Sequence, residues 1–352
     1  MNSNSYGEFF KITTFGESHG EGVGVVIDNC VAGLELSVDD IQFELDRRKP
    51  GQSKLSTMRD EADKAEILSG VFEGKTTGTP IAILVRNTNQ RSKDYSDIKD
   101  LFRPGHADFT YFKKFGIRDY RGGGRSSARE TIGRVASGAV AKKILKKLGI
   151  DIFAYTIQIG NIKAENFNRD FIEENPVRTA DENAYPLMEK AIMEAKMAQD
   201  SIGGVIEVCI KNVPVGIGEP VFDRLNARLA YGIMSIPAVK GIEFGAGFKA
   251  ASMRGSENND EITPDGFLSN NAGGTLGGIS SGQDIVFRFA VKPTSSITIP
   301  KNTIDIHNQP QQIITKGRHD PCVAPRAVVI AEAMAALTLV DMIMIHNGRQ
   351  II

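Results

Sequence analysis

The chain has 352 residues, 41% of them hydrophobic and 24% charged, a globular composition with enough apolar mass for a large core. Its 42 Lys and Arg nearly cancel 43 Asp and Glu, for a net charge of −1, which argues against a general binder of nucleic acid or anionic membrane. The cysteines, Cys30, Cys209 and Cys322, are three and far apart, which excludes a disulfide framework or a Cys-based zinc motif and suits a reducing cytosol.

The first twenty residues lack a basic start followed by an apolar run, so no secretory signal is expected. FFKITTF and VGVVID then read as short strands joined by a glycine turn. SVDDIQFELDRRK reads as a helix, with Ser37 as cap, Asp39 and Asp40 in the first turn, and Ile41 and Leu45 four apart. GTPIAILVRN is a buried strand. Residues 126–148 repeat apolar positions at Ile132, Val135, Ala139, Val140 and Ile144, with Gly149 as a stop, and predict a long helix. Pro186 opens a further helix that runs to paired glycines. Residues 164–200 carry nine acids against four bases and read as a solvated excursion. Strands resume at Val205–Ile210 and in DIVFRFAVKP and SITIP, and a last helix follows Pro325. Residues 327–345 have the length of a membrane span. Glu332 and Asp341 interrupt them, however, so a buried core helix is expected. A carboxylate on such a helix needs a partner or a task, and Asp341 stands out. With no repeat and no linker, one interwoven α/β domain over residues 1–352 is expected.

The strongest chemical signal lies at residues 113–134, where seven Lys or Arg face two acids. Gly122–Gly124, Ser126 and Ser127 there lead toward a helix start, a pattern suited to an anion, because free amides and the helix dipole favour negative charge. Arg125 and Arg129 are four apart and can share a face, while Arg134 points elsewhere. A second basic cluster, Arg47, Arg48 and Lys49, is followed by Lys54 and Arg59. Of five histidines, His19, His106 and His319 sit beside glycine or proline turns, where each is a candidate acid near neutral pH. Gly16-Glu17-Ser18-His19-Gly20 fits the G-x-S-x-G elbow of serine hydrolases, but too little chain precedes it for the oxyanion-hole loop of such folds. SGVFEGKTTG is one residue short of a P-loop. His106 and Asp108 have no third ligand at a recognisable spacing, so no metal is expected.

Seven blocks in one order carry a resemblance: GESHGEGVGVVIDNCVAGL, DRRKPGQSKLSTMRDEAD, FRPGHADFTYFKKFG, YRGGGRSSARETIGRVASGAVAKKIL, NNAGGTLGGISSG, KPTSSITIP and GRHDPCVAPRAVVIAEAMAALTLVD. With them the chain closely resembles the chorismate synthase family, nearly end to end. The resemblance implies a β-α-β sandwich, assembled as a homotetramer in the cytoplasm. It implies a carbon–oxygen lyase that removes phosphate and a C6 hydrogen from 5-enolpyruvylshikimate 3-phosphate by 1,4-anti elimination, the last step of the shikimate pathway. Reduced FMN is required, with NADPH acting indirectly through a flavin reductase.

By the same resemblance, His19 protonates the departing phosphate and His106 works at the flavin's N1–C2 carbonyl region. Asp341 assists removal of the C6 proton, and Ser18 and Ser127 hold the hydrogen-bond network. FMN contacts carry over to Arg125, Ser126 and Ser127, to Pro237 and Ala238, to Gly277, to Lys292, Pro293, Thr294, Ser295 and Ser296, and to Arg318. Arg48, Arg129 and Arg134 match positions for the substrate's anionic groups, and Arg48 and Lys54 match positions for NADPH. Two departures stand out: Lys54 replaces a common Arg, exchanging a bidentate fork for a point charge, and Pro237 stands where Asn is frequent. Outside the family, the readings are a serine esterase on Ser18 and a non-catalytic anion-binding protein built on Gly122–Gly124.

Overall fold

Alternating apolar residues build the first sheet. Strands Lys11–Gly16 and Gly22–Asp28 pair antiparallel, with Lys11 opposite Asp28 and Gly16 opposite Val23, and turn Ile12, Val25 and Ile27 into the core. Ser5–Tyr6 flanks them on one side, and Ile81–Arg86 then Ala65–Ile67 on the other, giving five antiparallel strands. A second antiparallel sheet runs in the order Val239–Phe244, Ile285–Val291, Gly204–Lys211, Asp151–Ile159, Ile162–Lys163. This computed structural model describes residues 3–56, 61–88, 98–315 and 319–349.

The helices are α1 Val38–Arg48, α2 Asp108–Phe115, α3 Thr131–Lys147, α4 Tyr185–Met197, α5 Leu225–Met234, the short α6 Gly255–Asn258, and α7 Ala324–Arg349. Ser37 caps α1 with the expected geometry, its hydroxyl and the Asp40 carboxylate closing a reciprocal capping box. Helix α3 packs on the first sheet, α7 on the second, and α3 and α7 on each other, so the layers run sheet, helices, sheet. Two glycines five apart on α3 face about 140° apart round the helix. A Cβ at Gly133 would lie 3.0 Å from Gly24 O in the first sheet, and one at Gly138 would lie 2.4 Å from Ala333 Cβ on α7.

Helix α7 is buried from Ala324 to Ile343 except at Arg326, as a helix apolar on nearly all sides must be. Both of its acids are accounted for inside the protein. Glu332 binds Arg47 Nη1 at 2.7 Å, Lys142 Nζ at 2.5 Å and the amide of Ala154 at 3.1 Å. Burial alone would raise its pKa, but Lys142 and Arg47 outweigh that and hold it low. Asp341 accepts the amides of Glu8, Phe9 and Phe10 at 2.9, 2.7 and 2.9 Å.

Four local expectations are corrected. The helix expected over 126–148 begins at Thr131, because Gly122, Gly123 and Gly124 are left-handed and Ser127 is extended. Helix α4 ends at Met197, not at the paired glycines; Gln199 takes the left-handed position, and Gly203 instead lets Val291 O approach the chain. SITIP forms no strand, and the next is Lys301–Ile304, paired with Pro310–Ile313. The acidic segment 164–200 is not simply solvated: Ile172, Val177, Met188 and Ile192 are buried, and α4 packs on strand Asp151–Ile159.

Candidate active site

Two histidine turns and the glycine loop meet at one end of the sandwich. Ser18 and His19 lie in the loop joining strands Lys11–Gly16 and Gly22–Asp28, and both are buried. Ser18 stands in a β-hairpin rather than between a strand and a helix, and its Oγ makes no hydrogen bond among the described residues. That geometry does not fit the hydrolase elbow.

His106 lies between Gly105, left-handed with φ +72°, and α2. Asp108, the first residue of α2, accepts from Arg103 Nε at 2.7 Å and Arg103 Nη2 at 3.0 Å. Its Oδ1 lies 3.0 Å from His106 Nδ1. Burial is the largest influence on His106 and lowers its pKa; Arg103 and Lys292 add to this and Asp108 opposes it.

The glycine loop separates the two histidines. A Cβ at Gly122 would lie 2.7 Å from His19 Nε2, and one at Gly123 would lie 3.0 Å from His106 Cε1. Three consecutive left-handed glycines are what this approach requires. The loop's amides are less free than expected, since Ser126 N and Oγ both bond Gly123 O, at 3.0 and 2.7 Å.

Arginines form the opposite wall. Arg48, the last residue of α1, is almost fully buried, and its Nη2 donates to Asp63 Oδ2 at 2.6 Å. Arg129 donates to Asp63 Oδ1 at 2.9 Å and also pairs with Glu61 and Asn87. Arg326, on α7, bonds Asp320 at 2.5 Å and the carbonyl of Arg48 at 3.2 Å. Together these groups surround a cavity of about 380 Å³ whose wall carries Arg48, Arg103, Arg129, Lys292 and Arg326 against Glu61 and Asp320. Ile236, Pro237, Ala238, Val323, Ala327 and Ile330 form an apolar side. Ala238 is itself left-handed, with φ +73°, a strained conformation of the kind held at binding sites. Lys292 has no carboxylate partner among the described residues, and burial lowers its pKa, with help from Lys240.

The cavity thus gathers Ser18, His19, Arg48, His106, Ser126, Ser127 and Arg129 with Pro237, Ala238, Lys292 and Thr294–Ser296. Other expected site residues stand off it. Arg125 turns to Thr14 Oγ1 at 2.7 Å and Gly16 O at 3.3 Å, and Arg134 to Glu130 at 2.9 Å and Ser235 at 2.6 Å. Lys54 is exposed, 3.4 Å from Glu189, and Pro293 packs beside Gly203. Gly277 is at the exposed tip of the hairpin 275–280. Arg318 and Arg59 lie outside the described residues. Asp341 is not on the cavity wall; the three amides it accepts explain a carboxylate that looked unaccounted for in the sequence. His319, one of the three turn histidines, lines the site, and so do Glu61, Arg103, Asp320 and Arg326, which the sequence did not single out. The RPGH and GRHDP turns are the signals that point to Arg103 and Asp320.

A half-open cavity lined by five cationic side chains, with two histidines across a glycine loop, has the features of an α/β enzyme that handles a small polyanion. The family model described as chorismate synthase matches residues 10–344. The solved structure described as "Crystal Structure of Chorismate Synthase" matches with a TM-score of 0.77 and 34% identity, covering 97% of this chain and 94% of that one. The chain belongs to the chorismate synthase family. It is a lyase of aromatic amino acid biosynthesis, removing phosphate from 5-enolpyruvylshikimate 3-phosphate by 1,4-anti elimination to give chorismate.

Proposed function

We propose that this elimination takes place in the cavity described above, with His19 as the acid that protonates the departing phosphate. The observation that carries the reading is the pair of histidines held on either side of Gly122–Gly124, facing the arginine wall. The substrate brings a phosphate and two carboxylates, and Arg48, Arg103, Arg129 and Arg326 offer charge-assisted bonds to such groups. Ser18 and Ser127 complete the hydrogen bonding around them. Asp320, not Asp341, is the carboxylate we assign to the site: it lines the cavity, and its carbonyl accepts from Thr294 Oγ1 at 3.0 Å.

The residues also fit the reduced FMN that the family uses. An apolar side, a row of hydroxyls at Ser126, Ser127 and Thr294–Ser296, and the ammonium of Lys292 suit a flat ring carrying a phosphate tail. When bound, the reduced flavin supplies electron density to the substrate while phosphate leaves. Pro237, Ala238 and the 292–296 segment would hold it, and His106 would hold or move a proton beside its ring. NADPH serves through a separate reductase, a reading that follows the family resemblance and the exposed position of Lys54, away from the cavity. A cytoplasmic homotetramer is the assembly we propose, supported by apolar side chains as exposed as Phe222 and Phe248 in the single chain.

The test is anaerobic turnover of the substrate with and without photoreduced FMN. Turnover only with reduced flavin, and a loss of ~10²–10⁴-fold in His19→Ala, is expected. A His19→Ala chain at the parental rate overturns the assignment.

A further inference from the structure

We propose that Asp108 is a positioning residue for His106, holding the ring so that Nδ1 carries the proton and Nε2 presents its lone pair to the cavity. The proposal rests on the reading of this cavity as the reaction site.

The geometry begins with a turn. Gly105, left-handed, folds the chain so that Arg103 and His106 reach the same carboxylate two residues further on. Asp108 is buried at the start of α2, where the helix dipole favours an anion. Arg103 grips both of its oxygens, Arg118 Nη1 lies 3.4 Å from Oδ1, and His106 Nδ1 lies 3.0 Å from the same oxygen. Burial opposes ionisation, but His106 and Arg103 outweigh it and hold the carboxyl far below the usual carboxylate range. The 3.0 Å approach of Oδ1 to Nδ1 is a close charge contact and not an aligned hydrogen bond, but an ionised carboxylate can only accept, so a proton drawn to that side belongs to the ring. Gly123 closes on Cε1 from the other side and limits rotation.

The groups facing His106 are Asp108 and Arg103 from its own turn and helix, Arg118 behind Asp108, Lys292 beyond strand Ile285–Val291, and Gly123 from the glycine loop. Burial first, then Arg103 and Lys292, favour the neutral ring. A neutral imidazole has one donor and one acceptor nitrogen, and its partner decides which is which. Asp108 therefore makes His106 a proton acceptor toward the cavity at neutral pH.

The experiment is nitrogen NMR of the imidazoles in the ligand-free chain, with the His106 signals assigned by their loss in His106→Gln. In the parental chain Nδ1 is expected to be protonated and Nε2 bare above pH 7. In Asp108→Asn the ring should pass to the other tautomer or to a mixture, and its pKa should fall further because the carboxylate no longer opposes the cations. Turnover should fall about 10- to 100-fold, as for other partners that orient a functional histidine, with KM little changed. A parental ring protonated on Nε2, or an Asp108→Asn chain with unchanged tautomer and kcat, overturns the proposal. Should Asp108→Asn not fold, the parental tautomer alone decides. The two readings fail separately: an Nε2-protonated ring sinks the positioning role at any turnover, and His106→Gln at the parental rate sinks the cavity reading with any tautomer.

Discussion

The side chain of Asn87 joins Arg129 to the loop that carries His19. Its Oδ1 accepts from Arg129 Nε, while its Nδ2 donates to Glu17 O at 2.9 Å and Gly20 O at 2.8 Å. One amide at the end of strand Ile81–Arg86 thus fixes an anion-binding guanidinium and the acid's loop in a single frame. Asn87→Leu removes the acceptor of Arg129 Nε and the side-chain donor to Gly20 O, while Glu17 O keeps the Gly20 amide, at about 1–3 kcal/mol for a buried group left unsatisfied. A higher KM for substrate, together with a lower melting temperature, is expected. Parental KM and kcat in steady-state assays would show that the loop and the arginine are held by other means.

Gly122→Ala should disable the enzyme without unfolding it. The left-handed backbone costs a non-glycine residue roughly 1–2 kcal/mol, and the added methyl would meet His19 Nε2. Gly74→Ala is the control: φ is +74° there, with nothing within 4 Å of the new Cβ. Turnover is expected to fall at least tenfold in the first and to stay parental in the second, with similar losses of stability. Equal turnover in the two would mean that the glycine loop does not position His19.

Asp341→Asn separates structure from chemistry. The variant cannot accept all three amides as a carboxylate does, and hydrogen bonds to a charged group are worth ~1.5–3 kcal/mol net. The midpoint of denaturant unfolding should drop, while turnover per folded molecule stays near parental. A folded Asp341→Asn chain that had lost ~10²-fold in rate would return this residue to the reaction.

Glu332 gives the acid limb of the stability curve. Its folded pKa lies below the unfolded value of ~4.3, so its contribution is present above that value and is lost as pH falls below it. Glu332→Gln removes the charge that Arg47 and Lys142 share, but both cations keep Glu44 and Arg47 also keeps Glu173, so the loss at neutral pH should be that of charged hydrogen bonds, about 1.5–3 kcal/mol. The variant should also show a flatter fall in stability below pH ~4.3, which urea melts across the acid range would reveal. An unchanged acid limb would show that other carboxylates carry it.

Much of this fold is written locally. Ser37, Asp40, Ile41 and Leu45 define α1 by capping and period, and the alternation in 11–28 defines a hairpin. The start of α3 is not legible this way, because an apolar repeat says nothing about three glycines with positive φ ahead of it. The site divides along the same line. His19, His106 and the glycine loop carry their turns in the sequence, and the resemblance supplied Arg48 and Arg129. Asp63, which bridges those two arginines, and Asn87 come from separate loops that only the folded topology brings together. Arg125 had the right neighbours in sequence but spends its guanidinium on Thr14. Asp341 was conspicuous because a pattern shows which helix carries an acid, not which backbone amides lie opposite it.

The two glycines of α3 set a dimensional tolerance for the whole catalyst. Gly133 is filled by the first sheet and Gly138 by α7, so the helix is a spacer with no slack on either face. His19 hangs from the first sheet and Arg326 from α7. The width of the reaction chamber is therefore gauged by the thickness of one helix. A single methyl at Gly138, which is not part of the cavity wall, would act as a shim that spreads the acid from the anion clamp.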